Sequence, residues 1–124
     1  MAMATHAAGH LRGVHGPDGI EILDNPIHSH HPRLAVEVEE ELHHALAHED
    51  LGSVQVRFRV CRDDEEEGMR FICKVENPPR VDGDGAPPQW RWWSPLLETA
   101  EEFRNSLREG LKIRRQRLAL AGGR

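Results

Sequence analysis

Two runs of strict alternation, Ser53 to Cys61 and Gly68 to Glu76, constrain the fold of this chain more than any other feature. Val54, Val56, Phe58 and Val60 alternate with Gln55, Arg57, Arg59 and Cys61. Met69, Phe71, Cys73 and Val75 alternate with Arg70, Ile72, Lys74 and Glu76. Successive side chains of a strand point to opposite faces, so each run has one apolar face and one largely cationic face. Paired antiparallel, the strands turn both apolar faces to one core. Arg57, Arg59, Arg70 and Lys74 then line up on the opposite, open face without a counter-charge. Between the strands, the acids Asp63 to Glu67 repel one another and stay solvated, while Gly68 supplies the turn.

The remaining chain supplies elements to cover that core. At 124 residues it is long enough for one domain. Residues 1–18, rich in Ala, Gly and His without periodicity, read as a disordered tail, and 19–121 as a single domain. Gly19 to Leu23 reads as a short strand with Ile20 and Ile22 on one face, closed by Asp24, Asn25 and Pro26. Ser29 is a candidate cap for the next helix, with Pro32 in its first turn. From Arg33 to about His48, Leu34, Ala35, Val38, Leu42, Ala45 and Leu46 form one helical stripe, with Glu37, Glu40, His44 and His48 facing outward. Gly52 is the expected terminator.

The Pro-, Gly- and Asp-rich stretch 77–88 reads as a connection. Gln89 to Trp93 is short, aromatic and alternating, which predicts a further strand. If Trp90 and Trp92 face the core, Arg91 joins the basic face and Trp93 sits beside it. Ser94 followed by Pro95 predicts a helix start. Ala100, Phe103, Leu107, Leu111 and Leu118 then form its apolar stripe, flanked by a basic ridge of Arg104, Arg108, Lys112 and Arg115. The predicted architecture is α+β, in the order β-α-β-β-β-α, with two helices packed on one face of a four-stranded sheet.

Net charge is −5, but its distribution says more than its sum. Residues 1–52 carry net −7 and residues 95–124 net +3; residues 53–94 are net +4 once the turn 63–67 is set aside. The middle and last parts therefore have the cations that phosphate binding needs.

The run from Leu34 to Cys61, LAVEVEEELHHALAHEDLGSVQVRFRVC, resembles the first helix and following strand of the bacterial hibernation-promoting factor and ribosome-associated inhibitor family. Residues 68–76, GMRFICKVE, look like that family's next strand, and Ser94 to Leu118 is similar to its closing helix. The resemblance covers about residues 19–120. It implies binding to the small ribosomal subunit, in the channel used by mRNA and tRNAs, so that translation is held off during stress. By position, Arg57, Arg59, Arg70 and Lys74 carry the sheet side of the rRNA contact, joined by Arg91. Arg104, Arg108, Lys112 and Arg115 carry the helix side.

Other chemistry leaves fewer traces. The chain has no Gly-rich phosphate loop, nucleophile motif or HExxH, so a non-enzymatic protein without a cofactor is expected. His44 and His48 stand i, i+4 on one helix face, a spacing that can chelate a metal but lacks a closed ligand shell. Cys61 and Cys73 face opposite ways on neighbouring strands, which predicts free thiols. With no signal peptide and no apolar run of about 20 residues, a cytoplasmic protein is expected. A reading from another class is a protein-interaction adaptor, using Trp93 and the six acids between Glu37 and Asp50.

Overall fold

The structure, a computed structural model, describes residues 19–64, 68–78 and 90–122. The predicted tail 1–18, residues 65–67 of the acidic turn expected at 63–67 and most of the connection 77–88 lie outside the described residues, while Asp63 and Asp64 belong not to a turn but to the strand before it, paired with Met69 and Gly68. The elements run β1 (Gly19–Asp24), α1 (Ile27–His30), α2 (Pro32–Leu46), β2 (Ser53–Asp64), β3 (Gly68–Glu76), β4 (Arg91–Trp93) and α3 (Ala100–Gly122). The sheet has four strands in the order β1-β2-β3-β4; β1 pairs parallel to β2, and the other two pairings are antiparallel. The predicted α+β architecture is present, with a one-turn helix α1 added.

The alternation of β2 and β3 sets the layering. Val54, Val56, Phe58, Met69, Phe71, Cys73 and Val75 are buried. They meet Leu34, Ala35, Val38, Leu42 and Leu46 of α2 and Phe103, Leu107 and Leu111 of α3. Each large apolar side chain fully withdrawn from water stabilises the fold by about 1.5–3 kcal/mol. Phe58 meets Phe103 at 5.8 Å and Phe71 at 6.4 Å between ring centroids, both tilted. Cys73 lies in this core and Cys61 on the surface, both as free thiols. Burial drives the Cys73 thiol pKa far upward, so it stays protonated and packs as a small apolar group.

Local chemistry revises several expected boundaries. The backbone N–H of Ile27 donates to Asn25 Oδ1 at 3.1 Å, starting α1, and Ile27 is fully buried. Ser29 falls inside α1; the cap of α2 is His31, whose Nδ1 accepts from the Leu34 N–H at 3.3 Å. Because α2 ends at Leu46, Gly52 does not terminate it. Instead Gly52, at φ +70°, turns the loop into β2. The last strand is Arg91–Trp93.

The largest revision concerns Ser94 and Pro95, which do not begin a helix. The Ser94 N–H donates to the Cys73 carbonyl at 2.9 Å, and Leu97 exchanges backbone hydrogen bonds with Phe71 in both directions. Residues 94–97 thus continue the edge of the sheet. The buried Ser94 Oγ accepts from the Cys73 N–H at 2.9 Å and donates to the Pro95 carbonyl at 2.7 Å. Helix α3 begins where Thr99 Oγ1 accepts from the Glu102 N–H (3.0 Å) and Glu102 Oε1 accepts from the Glu98 N–H (2.8 Å). The first bond satisfies a donor that a helix start otherwise leaves open, and the second fixes the chain one residue before the cap. The buried stripe of α3 stops at Leu111, and Leu118 is exposed together with Ile113 and Leu120. The last turns of the helix overhang the core.

Gly110 fixes how α3 meets β4. A Cβ at this position would stand 2.4 Å from Cδ1 and 2.5 Å from Nε1 of Trp92. The indole therefore occupies space a side chain would need, and its ring meets Phe103 edge-on at 6.2 Å. In an exposed helix, Gly→Ala gains about 1 kcal/mol. Here we expect Gly110→Ala to cost about 1–3 kcal/mol, because the Trp92 ring must shift out of a packed position. Thermal unfolding measures this; an unchanged or raised midpoint would contradict the contact.

Candidate nucleic-acid interface

The register of the sheet decides what stands on its open face. Gln55 pairs with Glu76 and Glu76 with Arg91; Arg57 pairs with Lys74 and Lys74 with Trp93; Arg59 pairs with Ile72. Between Val60 and Arg62 the ladder carries a bulge, after which Arg62 pairs with Arg70. The extra residue, Cys61, shifts the alternation by one. Arg62 thereby joins Arg57, Arg59, Arg70, Lys74 and Arg91 on the open side. Strict alternation from Val54 places Cys61 there instead, and a bulge leaves no plain mark in a single sequence.

These cations are not uncompensated, which corrects the sequence expectation. Glu76, on the same face of β3 and only 14% exposed, lies 2.9 Å from Arg91, 3.2 Å from Lys74 and 3.9 Å from Arg57. Arg70 Nε donates to Glu98 on the segment before α3. Like charges directly opposite on neighbouring strands, as at Arg57 and Lys74, destabilise a sheet unless an opposite charge is near. Glu76 is that charge. Arg59 has no ion-pair partner among the described residues, and Arg57 is half exposed.

Trp93 stands 56% exposed beside these groups, and Lys74 Nζ sits 5.1 Å from its ring centroid. That separation is within cation–π range and holds the indole on the face. Trp90 and Trp92 pack against the core, which puts Arg91 and Trp93 where the alternation predicted. Arg57, Arg59, Ile72, Lys74 and Trp93, with Asp24 and Pro26 at the β1 end, line a shallow depression of about 250 Å³. Its floor and walls combine an aromatic plane with guanidinium donors, a pairing suited to unstacked bases and phosphates.

The helix ridge is arranged differently. Arg104 lies 3.6 Å from both Glu41 of α2 and Glu101, and its Nε is buried without a hydrogen-bond partner. Arg115 pairs with Glu49, and Arg114 Nη2 donates to the Asp50 carbonyl at 3.0 Å. Arg108 and Lys112 are exposed and have no ion-pair partner among the described residues. Glu41 of α2, and Glu49 and the Asp50 carbonyl in the loop after it, therefore brace α3 in part. Sheet face and ridge lie on opposite sides of the molecule, with the sheet and core between them.

His44 and His48 are exposed, and among the described residues no group of three or more His, Cys, Asp or Glu converges on a metal position. Glu39 instead accepts from Asn25 Nδ2 at 2.7 Å and lies 2.9 Å from His28 Nε2, tying α1 to α2. No helix among the described residues is long and apolar enough to cross a membrane. Fold and surface together define an α+β protein with helices on one sheet face and the other left open and charged. No protein-family model matches the chain, and no curated protein or solved structure is a match to it.

Burial tends to raise the Glu76 carboxyl pKa, but hydrogen bonds from Arg91 and Lys74 and their charges outweigh it, holding the group below its ordinary 4.5. A depressed carboxyl stabilises the fold above its unfolded value, and that contribution fades as pH falls through the folded one. We expect wild type to be more stable than Glu76→Gln at neutral pH, with the difference shrinking as pH drops below 4.5. Denaturant titrations along a pH series measure it. A difference that stays constant into acid would remove Glu76 as the balancing charge.

Proposed function

We propose that this chain is a non-enzymatic RNA-binding protein that docks on the small ribosomal subunit and holds off translation under stress. The observation that carries this reading is the open sheet face, where Arg57, Arg59, Arg91 and Trp93 stand exposed on a rigid four-stranded support. Cationic groups on such a support supply the sequence-independent part of RNA binding, and an exposed indole offers a stacking surface of about 1–3 kcal/mol per base. Glu76 tempers the field. Affinity for RNA is then modest and strongly salt-dependent.

The ribosomal partner comes from the resemblance to hibernation factors, and the placement of the ridge is consistent with it. Arg108 and Lys112 lie on the side opposite Arg57 and Arg59, so a flat partner can engage one set alone. A partner that encloses the protein, as the mRNA channel would, can contact both. The adaptor reading has less to draw on, since Glu41 and Glu49 are engaged with Arg104 and Arg115.

Two assays separate these ideas. With a free single-stranded RNA oligonucleotide, Arg57→Glu combined with Arg59→Glu should weaken binding and flatten the salt dependence by roughly 0.7 in log–log slope per lost phosphate contact. Glu76→Gln should strengthen it. With small ribosomal subunits, co-sedimentation should fall both for that pair and for Arg108→Glu combined with Lys112→Glu. If reversing Arg57 and Arg59 leaves pelleting with small subunits unchanged, the docking proposal is wrong.

A further inference from the structure

At the β4 edge of the sheet, where Arg91 borders the open face, a groove of about 570 Å³ runs between β4 and the overhanging half of α3. Its walls are mostly apolar: Trp90, Trp92, Pro95, Ile113 and Leu118, with Gly110 baring the helix backbone at the Trp92 ring. Arg91, Arg114 and Arg117 also line it, against the single carboxylate of Glu109. We infer that this groove binds a small amphipathic anion, an extended apolar body ending in a carboxylate.

Size, surface and charge each support that class. The volume falls within the range of roughly 300–1,000 Å³ typical of small-ligand pockets, which are mostly apolar with a few fixed polar groups. The apolar wall is preformed, because Trp92 is wedged between Gly110 and Phe103. Two of the three guanidiniums are anchored by the fold. Arg91 Nε donates to Glu76 at 2.9 Å, and Arg114 Nη2 to the Asp50 carbonyl at 3.0 Å. A guanidinium has five N–H donors in a fixed fork, so one anchoring bond still leaves others for a carboxylate. Arg117 has no ion-pair partner among the described residues.

The same charges argue against a second copy of the chain as occupant. Pairing two overhangs through Leu118 and Leu120 would bring Arg114, Arg115 and Arg117 of each against the guanidiniums of the other. Like charges brought together in this way oppose docking. An anionic head group reverses the sign of that interaction.

The test uses the full chain and two matched probes, dodecanoate and dodecyltrimethylammonium, each below its micelle concentration. Tryptophan fluorescence and calorimetry read binding. Dodecanoate should saturate a single site, with the cationic probe weaker by roughly tenfold or more. Arg117→Glu and Ile113→Asp, both at exposed positions, should each weaken dodecanoate by a similar factor while circular dichroism stays unchanged. Arg57→Glu with Arg59→Glu should leave it unaffected, which separates this site from the sheet face. Equal binding of the two probes, or no saturable binding, overturns the inference. So does concentration-dependent dimerisation that dodecanoate disperses, which would assign the groove to a second copy.

Discussion

Antiparallel pairing of β2 with β3 is the constraint on which the rest of the structure depends. Its register turns Val56, Phe58, Phe71, Cys73 and Val75 toward the helices and places Arg57 directly opposite Lys74. One pairing thus creates both the apolar surface that α2 and α3 cover and a cationic surface that would repel itself. Glu76 on one side and Glu98 on the other relieve that repulsion. The open face is consequently a balanced array with exposed cations at its margins, rather than a uniform positive sheet.

The same recombination of charge governs the helical layer. Along the chain, acids concentrate in the first part and bases in the last. Folding brings α2 and the loop after it beside α3, where Glu41 of the helix meets Arg104 and Glu49 of the loop meets Arg115. Ion pairs that stay partly in contact with water are worth little individually, so their main effect is on register and on the field the surface presents. Charge segregated in sequence for partner binding and charge segregated for packing look alike until the two helices are side by side. Arg108 and Lys112 remain turned to solvent, and they are the ridge residues still available to an anion.

Three tryptophans in four positions serve two surfaces. Trp90 and Trp92 pack against the core and form a wall of the groove beside α3, whereas Trp93 faces the other way under Lys74. Asn77 secures this arrangement. Its N–H donates to the Trp90 carbonyl, its Oδ1 accepts from the Trp90 N–H, and its Nδ2 donates to the carbonyls of Leu51 and Ser53. A residue that reads as the beginning of a loop in fact ties the last strand to the root of β2.

Periodicity by itself determined the strands β2 and β3, the buried stripe of α2, the first part of α3 and the two-layer α+β class. Those features depend on side-chain spacing of 2 and 3.6 residues, which is written in the order of residues. It also placed Arg57, Arg59, Arg70, Lys74, Arg91 and Trp93 on the open face. Only the tertiary structure decided that residues 94–97 extend the sheet edge, because Ser94 bonds to Cys73 and Leu97 to Phe71, each more than twenty residues away along the chain. It alone decided that Cys61 is a bulge bringing Arg62 into line, that Glu76 and Glu98 are the counter-charges, and that Gly110 yields its space to Trp92. Each of these depends on which distant residues become neighbours, and spacing along one strand or helix holds no information about that.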